Sequence, residues 1–135
     1  LVVRTLPNME TKKHQEFSGR NPVYLTHEAM VWIRNHGVKH LLVDVPSVDR
    51  EDDGGELPNH HVFWEVPQDT HDLINVPSAN TITEMVFVPD VVNDGLYALS
   101  IQIPDFALDA APSRPRLFPL VSKKKQEPGD LILGQ

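Results

Sequence analysis

Cysteine is absent from the 135 residues. Without a thiol there is no disulfide framework, no thiolate nucleophile and no cysteine zinc site, so any metal must be held by His, Asp or Glu. Cationic residues are scarce as well: 12 Lys and Arg stand against 19 Asp and Glu, a formal net charge of -7. Phosphate backbones and anionic lipid are neutralised by clustered Lys and Arg, so this balance argues against nucleic acid and against a membrane surface as partners. The one basic run, Lys123-Lys124-Lys125, reads as part of a solvated tail. No apolar run approaches the roughly 20 residues that span a bilayer, and no signal-peptide pattern opens the chain. A soluble, cytoplasmic protein is the expectation.

Hydrophobic residues make up 40% of the chain, enough for a real core in one domain. That domain is expected over residues 1–120, with 121–135 as a tail or terminal strand. Residues 1–5 are apolar and β-branched and predict a short strand; 10–21 are polar, with Gly19 and Pro22 as breakers, and predict a surface loop. Thr26 is a good N-cap for a helix over 26–36, and Leu25 and Met30 have the spacing of a hydrophobic staple. Ala29, Met30, Trp32 and Ile33 would form its buried stripe, and Gly37 would end it, with Val38 contacting Ile33. His27 and His36 fall at the helix ends and read as surface residues. Residues 40–45 form a short apolar run, the pattern of a strand buried inside a sheet.

Beyond that strand comes the most distinctive stretch, residues 44–61, DVPSVDREDDGGELPNHH. Asp44, Asp49, Glu51, Asp52 and Asp53 precede a Gly54-Gly55 turn, and His60-His61 close it. Helix, glycine, strand and then a polar loop at the strand's C-terminal end is the α/β arrangement in which sites collect. Acidic glycine-rich loops are also common as plain solvated turns. A helical turn is expected over 60–65, opened by Asn59, with Phe63 and Trp64 packed inward. Residues 66–81 read as an irregular excursion and 82–88 as a strand interrupted by Glu84. Residues 97–103 alternate as a strand (Tyr97, Leu99, Ile101, Ile103), 104–119 are too rich in proline to stay regular, and 131–133 could add a short strand. A carboxylate in an apolar strand is costly to bury unless it is paired or bound to a cation. Imidazole with carboxylate suits zinc or manganese. Two adjacent histidines do not easily reach one ion, so one would ligate and the other would orient or pack.

The run Gly37-Val38, Leu42-Val43-Asp44-Val45-Pro46-Ser47-Val48-Asp49 and Leu57-Pro58-Asn59-His60-His61 resembles the putative cyclase family, which includes bacterial kynurenine formamidase and isatin hydrolase. The opening residues 1–5 are similar to that family's L-x-R-T strand, and Pro112-Ser113-Arg114-Pro115 resembles its S-P-x-R element with the order changed. The resemblance implies a swivelling β/β/α fold, incomplete at the N-terminal side, and a metal-dependent hydrolase of amides or cyclic amides. It assigns His60 and Glu84 as ligands of a divalent zinc or manganese ion, and His61 as the neighbour that orients or relays protons. Asp44, Ser47 and Asp49 would hold the loop around the site. The family's H-x-G-T-H-x-D run has no counterpart here. The expectation is therefore the C-terminal part of such a protein, completed by a missing N-terminal half or by a homo-oligomer, with a small amide as substrate. The competing expectation is a non-catalytic binding or assembly module that keeps the fold without its metal. A third is calcium in the loop over 49–56, although its spacing does not meet the EF-hand pattern.

Overall fold

Thr26 starts the first α-helix as the sequence predicts: its Oγ1 accepts from the Ala29 N–H at 3.2 Å, and α1 runs His27–Asn35. At the other end Gly37 takes φ +72, a left-handed turn open to glycine, and its N–H returns to the Arg34 carbonyl at 2.9 Å. That turn delivers the chain into a strand. In the computed structural model, residues 1–70, 76 and 78–121 are described. They form β1 (Val2–Val3), α1, β2 (His40–Val43), α2 (Pro58–Trp64), β3 (Thr81–Thr83), β4 (Tyr97–Gln102) and β5 (Arg114–Pro119), a mixed α/β chain with small sheets. It divides into two compact units, Leu1–Asn93 and Asp94–Gln135.

The first unit is built on a parallel sheet in the order β1-β2-β3, with Val3 beside Val43 and Leu41 beside Ile82. Parallel neighbours need crossover connections, and α1 and α2 lie in those connections. β2 sits centrally, which explains its unbroken apolar run: Leu41, Leu42 and Val43 are all buried. The core joins Met30 and Ile33 of α1 to Leu41, Val43, Val45, Val48 and Phe63, and Val3, Leu25, Val38, Val62, Trp64 and Ile82 pack around it.

Four local expectations change. Trp32 is 58% exposed and stacks on His36 at 3.8 Å between ring centres. At about 100° per residue it lies roughly 130° round the helix from the midpoint of Met30 and Ile33, outside the buried stripe. The polar segment over 10–21 contains a 3-10 helix, Glu10–His14. The strand expected over 82–88 stops at Thr83 because Met85 takes φ 57. Its N–H goes to Val45 O at 3.0 Å, Val86 N–H goes to Val43 O at 2.9 Å, and the ladder slips by one residue as in a bulge. The proline-rich segment over 104–119 is not irregular throughout, since Arg114–Pro119 pairs antiparallel with Tyr97–Gln102. Residues 123–125 and 131–133 lie outside the described residues.

The packing separates two aromatic residues of the first unit. Phe63→Ala, at a fully buried ring, should cost about 3–5 kcal/mol, whereas Trp32→Ala should cost roughly 0.5 kcal/mol. Urea unfolding of both variants checks this; equal losses would contradict the core assigned here.

Candidate functional site

The loop leaving β2 is fixed by its own carboxylates. Asp44, 4% exposed, accepts the Thr5 N–H on both oxygens (3.0 and 2.9 Å) and takes the Lys12 ammonium at 2.9 Å. The buried charge is thus paired, and the ends of β1 and β2 are held together. Asp53 closes the Gly54-Gly55 turn by accepting from Gly55 N–H (2.8 Å) and Leu57 N–H (2.9 Å). Glu51 accepts from the N–H groups of Gly19 and Asn21. Asp44, Asp49, Glu51 and Asp53 all accept from backbone N–H groups, which ties these carboxylates to the chain around them. Among the described residues no group of three or more His, Asp or Glu is gathered as a metal cluster.

Asp49 has a more particular place. Leu57, the residue before α2, is left-handed at φ 47 and offers no side-chain cap. Asp49 supplies the acceptor instead, taking the Asn59 N–H at 2.7 Å and the His60 N–H at 3.2 Å. An N-terminal carboxylate answers the unpaired amides and the positive end of the helix. Asp49 Oδ2 also meets His60 Nδ1 at 2.7 Å, and the Asp49 N–H donates to Ser47 Oγ at 3.1 Å. Burial pushes the Asp49 carboxyl up, but the bonds from the His60 ring and from the Asn59 and His60 amides outweigh it and hold the group below the usual carboxylate range.

The His60 ring is set between two carboxylates. With Asp49 accepting at Nδ1, that nitrogen carries the proton and Nε2 is turned toward Glu84 Oε1, 3.5 Å away. The same Glu84 oxygen accepts from the Val48 N–H at 2.9 Å. Glu84 follows β3 directly, and the left-handed Met85 after it sets where the strand leaves the sheet. The Glu84 side chain is 27% exposed and His60 13%, and Trp64 tilts against the imidazole at 5.1 Å.

His60, Glu84, Asp49 and Ser47 therefore fall in one connected set. Asp44 belongs to a separate cluster with Thr5 and Lys12. His61 is 3% exposed and its Nδ1 donates to the Pro67 carbonyl at 2.8 Å, drawing the residues after α2 back onto the helix. Two contributors escaped the sequence. Asn59 was expected only to open the helix; it is 3% exposed, its amide nitrogen reaches the Leu25 and Val48 carbonyls at 2.7 and 2.8 Å, and its Oδ1 is buried with no hydrogen-bond partner among the described residues. Lys12 gave no signal, because its segment looked like any polar loop.

Asp49→Asn should lower stability at neutral pH by roughly 2–3 kcal/mol, the size of hydrogen bonds made by an ionised acceptor. A folded carboxyl held below its unfolded value of about 3.9 contributes fully above that pH and loses its contribution as pH falls through the folded value. The gap between the parent chain and Asp49→Asn should accordingly close on acidification below about pH 4. Denaturant titrations of both proteins across pH read it directly, and a gap constant with pH would remove the ionised carboxylate from the account.

Comparison with known protein families, with characterised proteins and with solved structures finds no match to this chain.

Proposed function

We propose that His60 and Glu84 are two donors of a divalent-cation centre in a hydrolase acting on an amide or cyclic amide, zinc or manganese being the cation. The observation that carries this is the line Asp49–His60–Glu84. A carboxylate on one imidazole nitrogen, leaving the other to face a second carboxylate, is the outer-shell arrangement that orients metal-bound histidines. The fit can be tested on the distance. Two ligands each about 2.0–2.2 Å from a tetrahedral cation stand roughly 3.3–3.6 Å apart. His60 Nε2 and Glu84 Oε1 stand 3.5 Å apart, longer than a good hydrogen bond. The two donors fit, but structural and catalytic zinc sites use three or four protein ligands, so further donors must join them.

In this proposal each residue has its own task. Asp49 fixes the tautomer and the plane of His60, and Ser47 fixes Asp49. Glu84 brings negative charge at a partly exposed position, while Val48 N–H holds its carboxylate in place. Trp64 shields one side of the imidazole from water. His61, buried against Pro67, supports the helix that presents His60. A cation held here would supply Lewis acidity, polarising an amide carbonyl and making bound water more acidic. The swivelling β/β/α architecture of the cyclase family is part of the same proposal and rests on the motif over 37–61.

A second reading has an observation of its own. Without any ion, His60 joins a loop carboxylate to a carboxylate beyond β3, which serves a non-catalytic module as a clamp. Elemental analysis of the purified chain separates the two. The proposal expects zinc or manganese at a fixed ratio, lost in His60→Ala and at least tenfold weaker in Glu84→Gln, with both variants still folded. Metal content unchanged in both variants would end the ligand assignment, and a metal-free parent chain that does not take up added zinc would favour the clamp.

A further inference from the structure

The second unit contains a hairpin whose two outer edges are unlike. Tyr97 lies opposite Pro119, Leu99 opposite Leu117 and Ile101 opposite Pro115. An antiparallel ladder alternates pairs that exchange two N–H···O bonds with pairs whose N–H and C=O groups point outward. Proline has no N–H to exchange, so Pro115 and Pro119 belong to the outward-pointing pairs, and Leu117 joins them by alternation. The outer edge of β5 consequently offers only the Leu117 N–H, between two prolines. On the other side the N–H and C=O groups of Leu99 and Ile101 face outward. Among the described residues no further strand pairs with that edge, since the sheet consists of β4 and β5.

β4 reads Tyr-Ala-Leu-Ser-Ile-Gln and carries no charge. It has neither the Lys, the Pro nor the bulge that ordinarily keeps an edge strand from templating another. Its odd-numbered residues share one face with Pro115, Leu117 and Pro119, an apolar surface, while Ala98, Ser100, Gln102, Arg114, Arg116 and Phe118 occupy the other, which is mixed. No residue of either strand is fully buried, and a two-stranded sheet is at best marginal alone.

We propose that β4 pairs antiparallel with β4 of a second copy of this chain, forming a four-stranded sheet about a two-fold axis at Leu99. The uncharged strand is self-complementary. Leu99 would lie opposite its own counterpart, and Tyr97 opposite Ile101 of the second copy, an aromatic and β-branched pair of the favourable kind. Both arginines sit on β5, the outer strand of such a sheet, so like charges of the two copies stay apart. The apolar faces of the two hairpins become one continuous surface, as an isologous interface requires. This pairing is independent of the cation proposal.

The test is sedimentation of the full chain and of Leu99→Lys and Leu99→Glu. The parent is expected to be dimeric and each variant to show half its mass, because like charges would lie directly opposite. An equimolar mixture of the two variants should return the dimer mass. Hydrogen-exchange protection of the Ala98 and Ser100 amides, which face β5, checks that the hairpin survives in each variant. A monomeric parent, dimers in both variants or a mixture that stays monomeric would overturn the pairing. Should the variants fail to fold, hydrogen exchange on the parent decides. Protection of the Leu99 and Ile101 amides that is lost on dilution supports a second copy, and protection independent of concentration assigns the edge to the same chain and refutes it.

Discussion

One carboxylate, that of Asp49, holds together three things that the sequence keeps apart. It ends the loop that leaves β2, starts α2 by accepting two of its amides, and fixes which nitrogen of His60 bears the proton. A local N-cap would serve the helix alone. Here the preceding residue is a left-handed leucine with nothing to offer. The acceptor comes from 10 residues upstream, and helix, loop and imidazole are therefore positioned by a single ionised group. The buried Asn59 reinforces the same junction from below by bridging the carbonyls of Leu25 and Val48.

The frame around this junction was largely legible in the sequence. Thr26, Gly37 and the apolar run after His40 each carry a local signal, a cap, a left-handed turn or a two-sided burial pattern, and each is realised. The loop carboxylates, the His60-His61 pair and Glu84 were expected to act together. Ser47, Asp49, His60 and Glu84 do meet, while Asp44 bonds Thr5 and Lys12 and His61 bonds the Pro67 carbonyl. Spacing alone would not have brought Glu84 to a residue 24 positions earlier. What failed had no local signature. Nothing near Lys12 announces that its ammonium will meet Asp44. Nothing in Ile-Thr-Glu-Met-Val-Phe-Val says that the strand will slip at Met85, because a left-handed methionine is imposed by the carbonyls it must reach. Trp32 misled in a simpler way. A large aromatic next in sequence to buried residues looks like core until the helical angle is counted.

Electrostatics in the first unit run against the acidic composition. The chain has a surplus of carboxylates, yet Asp44 and Asp49 are nearly fully buried. Asp44 is satisfied by the Thr5 amide and the Lys12 ammonium, and Asp49 by the Asn59 and His60 amides and the His60 ring. Acidic residues in this loop serve mainly as acceptors for a backbone that forms no regular ladder. Glu84 is the exception. It is partly exposed, and it faces an imidazole across a gap too wide for a good hydrogen bond.

The remote cap of α2 also bears on the order of folding. At 7 residues the helix is far too short to persist alone, and its acceptor is absent until the loop from β2 has closed. α1 carries its own Thr26 cap and can be populated within its own segment. The parallel sheet needs both crossovers before β3 can align, so α2 stands at the late step of that sequence. The implied hypothesis is a transition state in which α1 and β2 are already in contact while α2 is still unformed. φ-values near zero along α2 and substantial ones in α1 would be its kinetic signature, and high values in α2 would refute it.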